Sequence, residues 1–186
     1  MNIFTNERKA YTYSLNTKNN KYLYSTTTKE KIRIFGKDYA LVIAFGLISN
    51  PTLNLKNDVV EICFPKSYQK YKIDSLVLLI IKKMYKTIAE KELDFFMEMA
   101  RHTLGFAPDN YTIVDLNRPL ATVIDKSEIL FSSNIVKYDK KTIEYIVFHE
   151  FCHLKYRNHT KKFYELLEKY YPNYRYYANK LGNTSY

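Results

Sequence analysis

The sequence predicts an α+β fold: N-terminal β-strands, one long helix, a β-hairpin, then a histidine-bearing helix and short C-terminal helices. Three observations predict it. Between Lys31 and Phe64 apolar residues gather in short, β-branched runs separated by turn residues. From Leu76 to Leu104 they recur at helical spacing. Further on, His149 and His153 stand four residues apart inside a second helical pattern, directly after three short strand-like runs.

The elements follow in order. Residues 1–30 are polar and rich in Thr, Asn and Lys, with Tyr11, Tyr13, Tyr22 and Tyr24 as anchors. They read as an arm or an irregular strand pair ahead of a main domain, residues 31–186. Ile32 and Ile34, then Tyr39 to Phe45, flank Gly36-Lys37-Asp38, which reads as a hairpin turn. Asn50-Pro51 marks a loop, and Val59 to Phe64 a strand stopped by Pro65. Asp74 or Ser75 can cap the long helix and Gly105 can end it. Its length admits a break near Glu90-Lys91. Tyr111–Leu116, Leu120–Ile124 and Glu128–Ser132 read as strands, the last two joined through Asp125-Lys126-Ser127. Asp139 is a fitting N-cap for the histidine helix, with Tyr138 and Ile143 placed to staple it. That helix should end near Arg157-Asn158, since Asn tolerates the left-handed conformation of a helix end. Thr160 can cap the next helix, and Pro172 and Gly182 bound the last.

At 186 residues, 46% of them hydrophobic, the chain can bury a sizeable core. Its most apolar run, Leu76 to Ile81, is far too short to span a bilayer. No apolar segment follows Met1 as a secretory leader would require, and two cysteines are too few for a disulfide framework. A cytoplasmic protein with no membrane association is expected. The net charge of +10 is concentrated in residues 1–37 (eight Lys/Arg, two acids) and 155–180 (seven Lys/Arg, two acids). Such surfaces attract polyanions, so nucleic acid is a conceivable partner. A solvated surface explains the charge more simply, and no nucleic-acid motif accompanies it.

The chemistry concentrates in His149-Glu150-Phe151-Cys152-His153, followed by His159, which together hold three of the four histidines. Positions i and i+4 share a helix face, so His149 and His153 can grip one ion while Glu150 stands beside it as general base toward a metal-bound water. This is the H-E-x-x-H pattern of zinc peptidases; the blander alternative is a buried helix whose histidines are satisfied by hydrogen bonds. Three histidines and no C-x-x-C pair favour an open, catalytic zinc site over a closed structural one. His159 is the preferred third ligand, with Glu165 and Glu168 as competitors. Spacing to His159 also fits the metzincin pattern, which however places glycine where Tyr156 stands. Cys152 belongs to the core, and His102 reads as a surface or packing histidine. Tyr156, Tyr170 and Arg118 are candidates to stabilise an oxyanion.

The stretches Ile143–Leu154, Asn158–Tyr164 and Tyr171–Tyr174 resemble the YgjP-like metallopeptidase family, which is similar to the SprT-like and Wss1-like zinc peptidases. The match is close over about forty residues and, from the order of elements, extends over most of the chain from Lys31 onward. The resemblance implies a zincin-like α+β fold, zinc at His149, His153 and His159, Glu150 as the catalytic residue, and a protein or peptide substrate. The family carries a Trp-Gly-Ser-Cys element before the hairpin turn. This chain has no Trp, and Leu120-Ala121-Thr122-Val123 stands in that place. Two functions follow: a zinc-dependent endopeptidase, or a metal-stabilised, catalytically inactive binding module for nucleic acid or protein.

Overall fold

The computed structural model describes residues 22–182, which divide between two compact units, residues 1–81 and 82–186. The α+β order expected from the sequence is present: strands, long helix, hairpin, histidine helix, C-terminal helices.

In the first unit four strands form one sheet: β1 (Tyr22–Ile34), β2 (Lys37–Gly46), β3 (Thr52–Lys56) and β4 (Val59–Pro65), in the order β1-β2-β4-β3. β2 and β4 run parallel, and the outer pairs are antiparallel. Alternation places Ile32, Ile34, Leu41, Ile43, Val60, Ile62 and Phe64 on the buried face. The β1–β2 turn is Phe35-Gly36, one residue earlier than expected. Both have positive φ (50° and 80°), as a two-residue primed turn requires, so Lys37 and Asp38 already belong to β2. β3 was not anticipated. Its partner turn, Asn57-Asp58, is also of positive φ (47° and 62°) and folds β3 back onto β4. β1 starts at Tyr22, inside the segment expected to be an arm or strand pair; residues 1–21 lie outside the described residues.

Helix α1 spans Asp74–Leu104, 31 residues without interruption, so the break admitted near Glu90-Lys91 does not occur. Gly105, at φ 74°, ends it in the left-handed conformation that a side chain would resist.

The second unit holds a three-stranded sheet of β5 (Asn110–Val114), β6 (Ala121–Ile124) and β7 (Glu128–Ser132), in the order β5-β7-β6. β5 and β7 are parallel, and β6 is an antiparallel edge strand. Asp125 and Lys126, at φ 49° and 66°, make the expected β6–β7 turn. Helix α2 (Lys140–Lys155) begins at Asp139, whose carboxylate accepts the Thr142 N–H. Every residue from Tyr145 to Cys152 is buried, so α2 is enclosed on all sides over two turns and lies at the heart of its unit. Its end differs from expectation. Tyr156 is the C-cap, in extended conformation (φ −128°, ψ 97°), and Asn158 has no positive φ. α3 (Lys161–Tyr170) starts from Thr160, whose hydroxyl accepts the Phe163 N–H, and α4 (Tyr174–Lys180) precedes Gly182. Among the described residues no helix is long and apolar enough to cross a membrane, and Cys63 and Cys152 are both buried and form no disulfide.

Candidate metal centre

The first two candidate ligands owe their position to α2. His149 is 5% exposed, and His153 lies one turn later on the same face. His159 reaches them because the chain leaves the helix at Tyr156 in extended form and re-enters one at Lys161. The three Nε2 atoms converge: His149 to His153 is 3.2 Å, and His149 to His159 is 3.1 Å. Among the described residues these three are the group of histidine, cysteine and carboxylate side chains able to share an ion, their ligand atoms all within 4.8 Å of one another. Three nitrogens about 2.0–2.1 Å from zinc at tetrahedral angles stand about 3.3 Å apart, so the cluster has nearly the spacing a single ion requires.

Protonation fits as well. Burial, then the neighbouring rings of His153 and His159, hold the His149 pKa well below its usual value. Burial lowers His153 and His159 too. Neutral imidazoles offer lone pairs, as a cation demands. The Nδ1 of His153 faces the Tyr156 carbonyl oxygen at 3.0 Å. A carbonyl only accepts, so Nδ1 carries the proton and Nε2 the lone pair. The extended conformation of Tyr156 is what offers that carbonyl. Phe163, fully buried on α3, packs against all three rings, with centroids at 5.0 Å from His149, 4.6 Å from His153 and 4.7 Å from His159. Tyr164 stacks on His159 at 5.9 Å.

Glu150 is 2% exposed. Burial pushes its carboxyl up to about 8, against the pull of the Val123 backbone N–H that donates to it. A carboxyl so placed exchanges a proton near neutral pH. Val123 lies on β6, so the Leu120–Val123 stretch touches the candidate base directly.

The remaining candidates separate. Cys152 is buried, and burial raises its thiol to about 12, which leaves it unsuited to ligation. Glu165 is exposed and pairs with Lys161 at 3.7 Å; Glu168 is exposed. His102 lies exposed in the last turn of α1. Arg118 reaches the Leu181 carbonyl at 3.4 Å, Tyr156 contributes its carbonyl to His153, and Tyr170 packs on Phe148. Sequence reasoning missed two residues of the site. One is Val123, which only the strand register brings to Glu150. The other is Tyr145, one turn before His149, whose hydroxyl lies 3.4 Å from His149 Nδ1. The i,i+4 spacing from Tyr145 to His149 was a signal that could have found it. Burial raises the Tyr145 pKa, so its hydroxyl stays protonated at neutral pH.

No curated protein matches the chain. Among solved structures, the metallopeptidase zymogen of Pyrococcus abyssi, abylysin, is similar at 22% identity and a TM-score of 0.43, over 47% of this chain and 90% of that one. The YgjP-like metallopeptidase domain family matches residues 9–184, nearly the whole sequence and all the residues that form the centre, and the chain therefore belongs to the YgjP-like metallopeptidases.

Proposed function

We propose that the chain is a zinc-dependent endopeptidase that hydrolyses peptide bonds with Glu150 as general base, acting in the cytoplasm on proteins or peptides. The observation that carries this reading is the convergence of three neutral imidazoles, two of them on the helix that also holds the buried Glu150 carboxyl. His149, His153 and His159 hold the ion, and three protein ligands leave a coordination position for water. Bound zinc supplies Lewis acidity there and brings the pKa of a bound water to about 7.

Glu150 takes a proton from the attacking water and returns it to the departing amine, so one carboxyl serves both steps. Its depth in α2 and the Val123 N–H fix its orientation. The strand β6 offers the substrate a track. The bond from Ser132 N–H to the Leu120 carbonyl sets the phase of the β6–β7 ladder, so Leu120 and Thr122 turn their backbone groups toward β7 while Ala121 and Val123 turn theirs outward. With the Val123 N–H given to Glu150, an extended peptide laid along that edge gains its backbone hydrogen bonds from Ala121 and the Val123 carbonyl.

The test is Glu150→Gln in the full chain. It should bind about one zinc per chain, as wild type does, and lose peptide cleavage by about 10²–10⁴-fold. A wild type that binds zinc yet cleaves no unfolded protein would instead favour the inactive binding module.

A further inference from the structure

We infer that Tyr145 is a positioning residue for the metal centre: its hydroxyl accepts the Nδ1 proton of His149 and holds that ring with Nε2 turned toward the ion. The inference rests on the metal reading above and adds to it the group that orients the most deeply buried ligand.

A neutral imidazole that presents the Nε2 lone pair to a cation carries its proton on Nδ1. For His149 that proton lies inside the protein, since the residue is 5% exposed, and a buried donor without an acceptor is costly. His153 meets the same need with the Tyr156 carbonyl just beyond the helix end. His149 lies in mid-helix, where the carbonyls of the preceding turn are engaged by the helix itself. A side chain one turn earlier is well placed to serve, and Tyr145 is that residue, with its oxygen 3.4 Å from Nδ1.

The hydroxyl is held still by its surroundings. Tyr145 is 2% exposed. Its ring stacks on Tyr177 of α4, with centroids at 5.5 Å and planes at 19°, and meets Tyr171 edge-on at 5.9 Å. Against His149 it stands at 5.7 Å and 60°. Two aromatic neighbours thus fix the phenol, and the phenol fixes the imidazole. Such outer partners set ligand orientation and basicity, and their loss typically weakens metal binding by about 10–100-fold.

The experiment compares zinc affinity of full-length wild type, Tyr145→Phe and Tyr176→Phe by competition with a chromophoric chelator. Tyr145→Phe keeps the ring and its stacking, so the melting temperature of the zinc-free protein should stay close to wild type. Zinc affinity should fall about 10–100-fold, whereas Tyr176→Phe, which removes an exposed hydroxyl, should stay within about twofold. Zinc-loaded wild type with ¹⁵N-labelled histidine supplies a second reading that needs no variant: the His149 signals should report a protonated Nδ1 and a metal-bearing Nε2. Equal zinc affinity in wild type and Tyr145→Phe, or a His149 bound through Nδ1, overturns the inference while leaving the peptidase reading intact. A wild type that takes up no zinc overturns both.

Discussion

Two helices of this chain carry histidine, and they put it to opposite use. In α1, His102 sits in the last turn with 72% of its side chain exposed, 3.7 Å from Glu98 and beside Arg101. In α2, His149 and His153 are enclosed by aromatic rings, and their nitrogens meet those of His159. Residue type and helical context are shared. What differs is company: α2 offers a second imidazole one turn away and a partner for the Nδ1 of each ring. Metal competence is thus a property of the packed cluster, and a lone histidine at a helix end stays a surface hydrogen-bonding group.

The contrast can be broken outright by substitution. His153→Ala should weaken zinc binding by roughly a hundredfold or more, while His102→Ala should leave it unchanged; equilibrium dialysis against a zinc buffer distinguishes the two. Equal losses would mean that the cluster is not the binding site. Next in size is Phe163→Ala. It opens a cavity beneath all three imidazoles and should cost about 3–5 kcal/mol, read from urea denaturation of the zinc-free protein. The smallest effect lies at the start of α2. Burial tends to raise the Asp139 carboxyl, yet hydrogen bonds from Lys180 and Thr142 outweigh it and hold the pKa below its usual value. A depressed carboxyl stabilises the fold fully above its unfolded pKa, near 3.9, and loses that contribution as pH falls through the folded value. Asp139→Asn keeps a capping side chain and removes the charge. Wild type should exceed it by about 0.2–1 kcal/mol at pH 7, with the gap closing below about pH 4 in urea midpoints. A gap unchanged down to pH 2.5 would refute the ionic part.

Much of this was legible along the chain because it is local. The Asp139 cap, the Asp125-Lys126 turn and the i,i+4 histidine pair each depend on a few neighbouring residues. β3 was hidden because Thr52–Lys56 contains only two apolar residues and is largely exposed, so its identity as a strand comes from pairing with β4. Likewise, the parallel pairing of β2 with β4 and of β5 with β7 joins segments far apart in sequence and leaves no local pattern. Phe35 took the place expected of Lys37 in the first turn because the partner register, Ile34 opposite Lys37, leaves only two residues to close it. The helix end moved from Asn158 to Tyr156 for a reason lodged in the site: the Tyr156 carbonyl turns toward His153. Val123 was out of reach for the same cause, since no spacing rule links a strand residue to a carboxyl 27 positions later.

The bond between Asp139 and Lys180 joins residues 41 apart, and it has a bearing on how the protein is made. A ribosome releases the chain from its N-terminal side, so His149, His153 and His159 all emerge before Lys180 does. The nascent polypeptide therefore possesses its full set of imidazoles while the tie that pins the front of the helix bearing two of them is still to come.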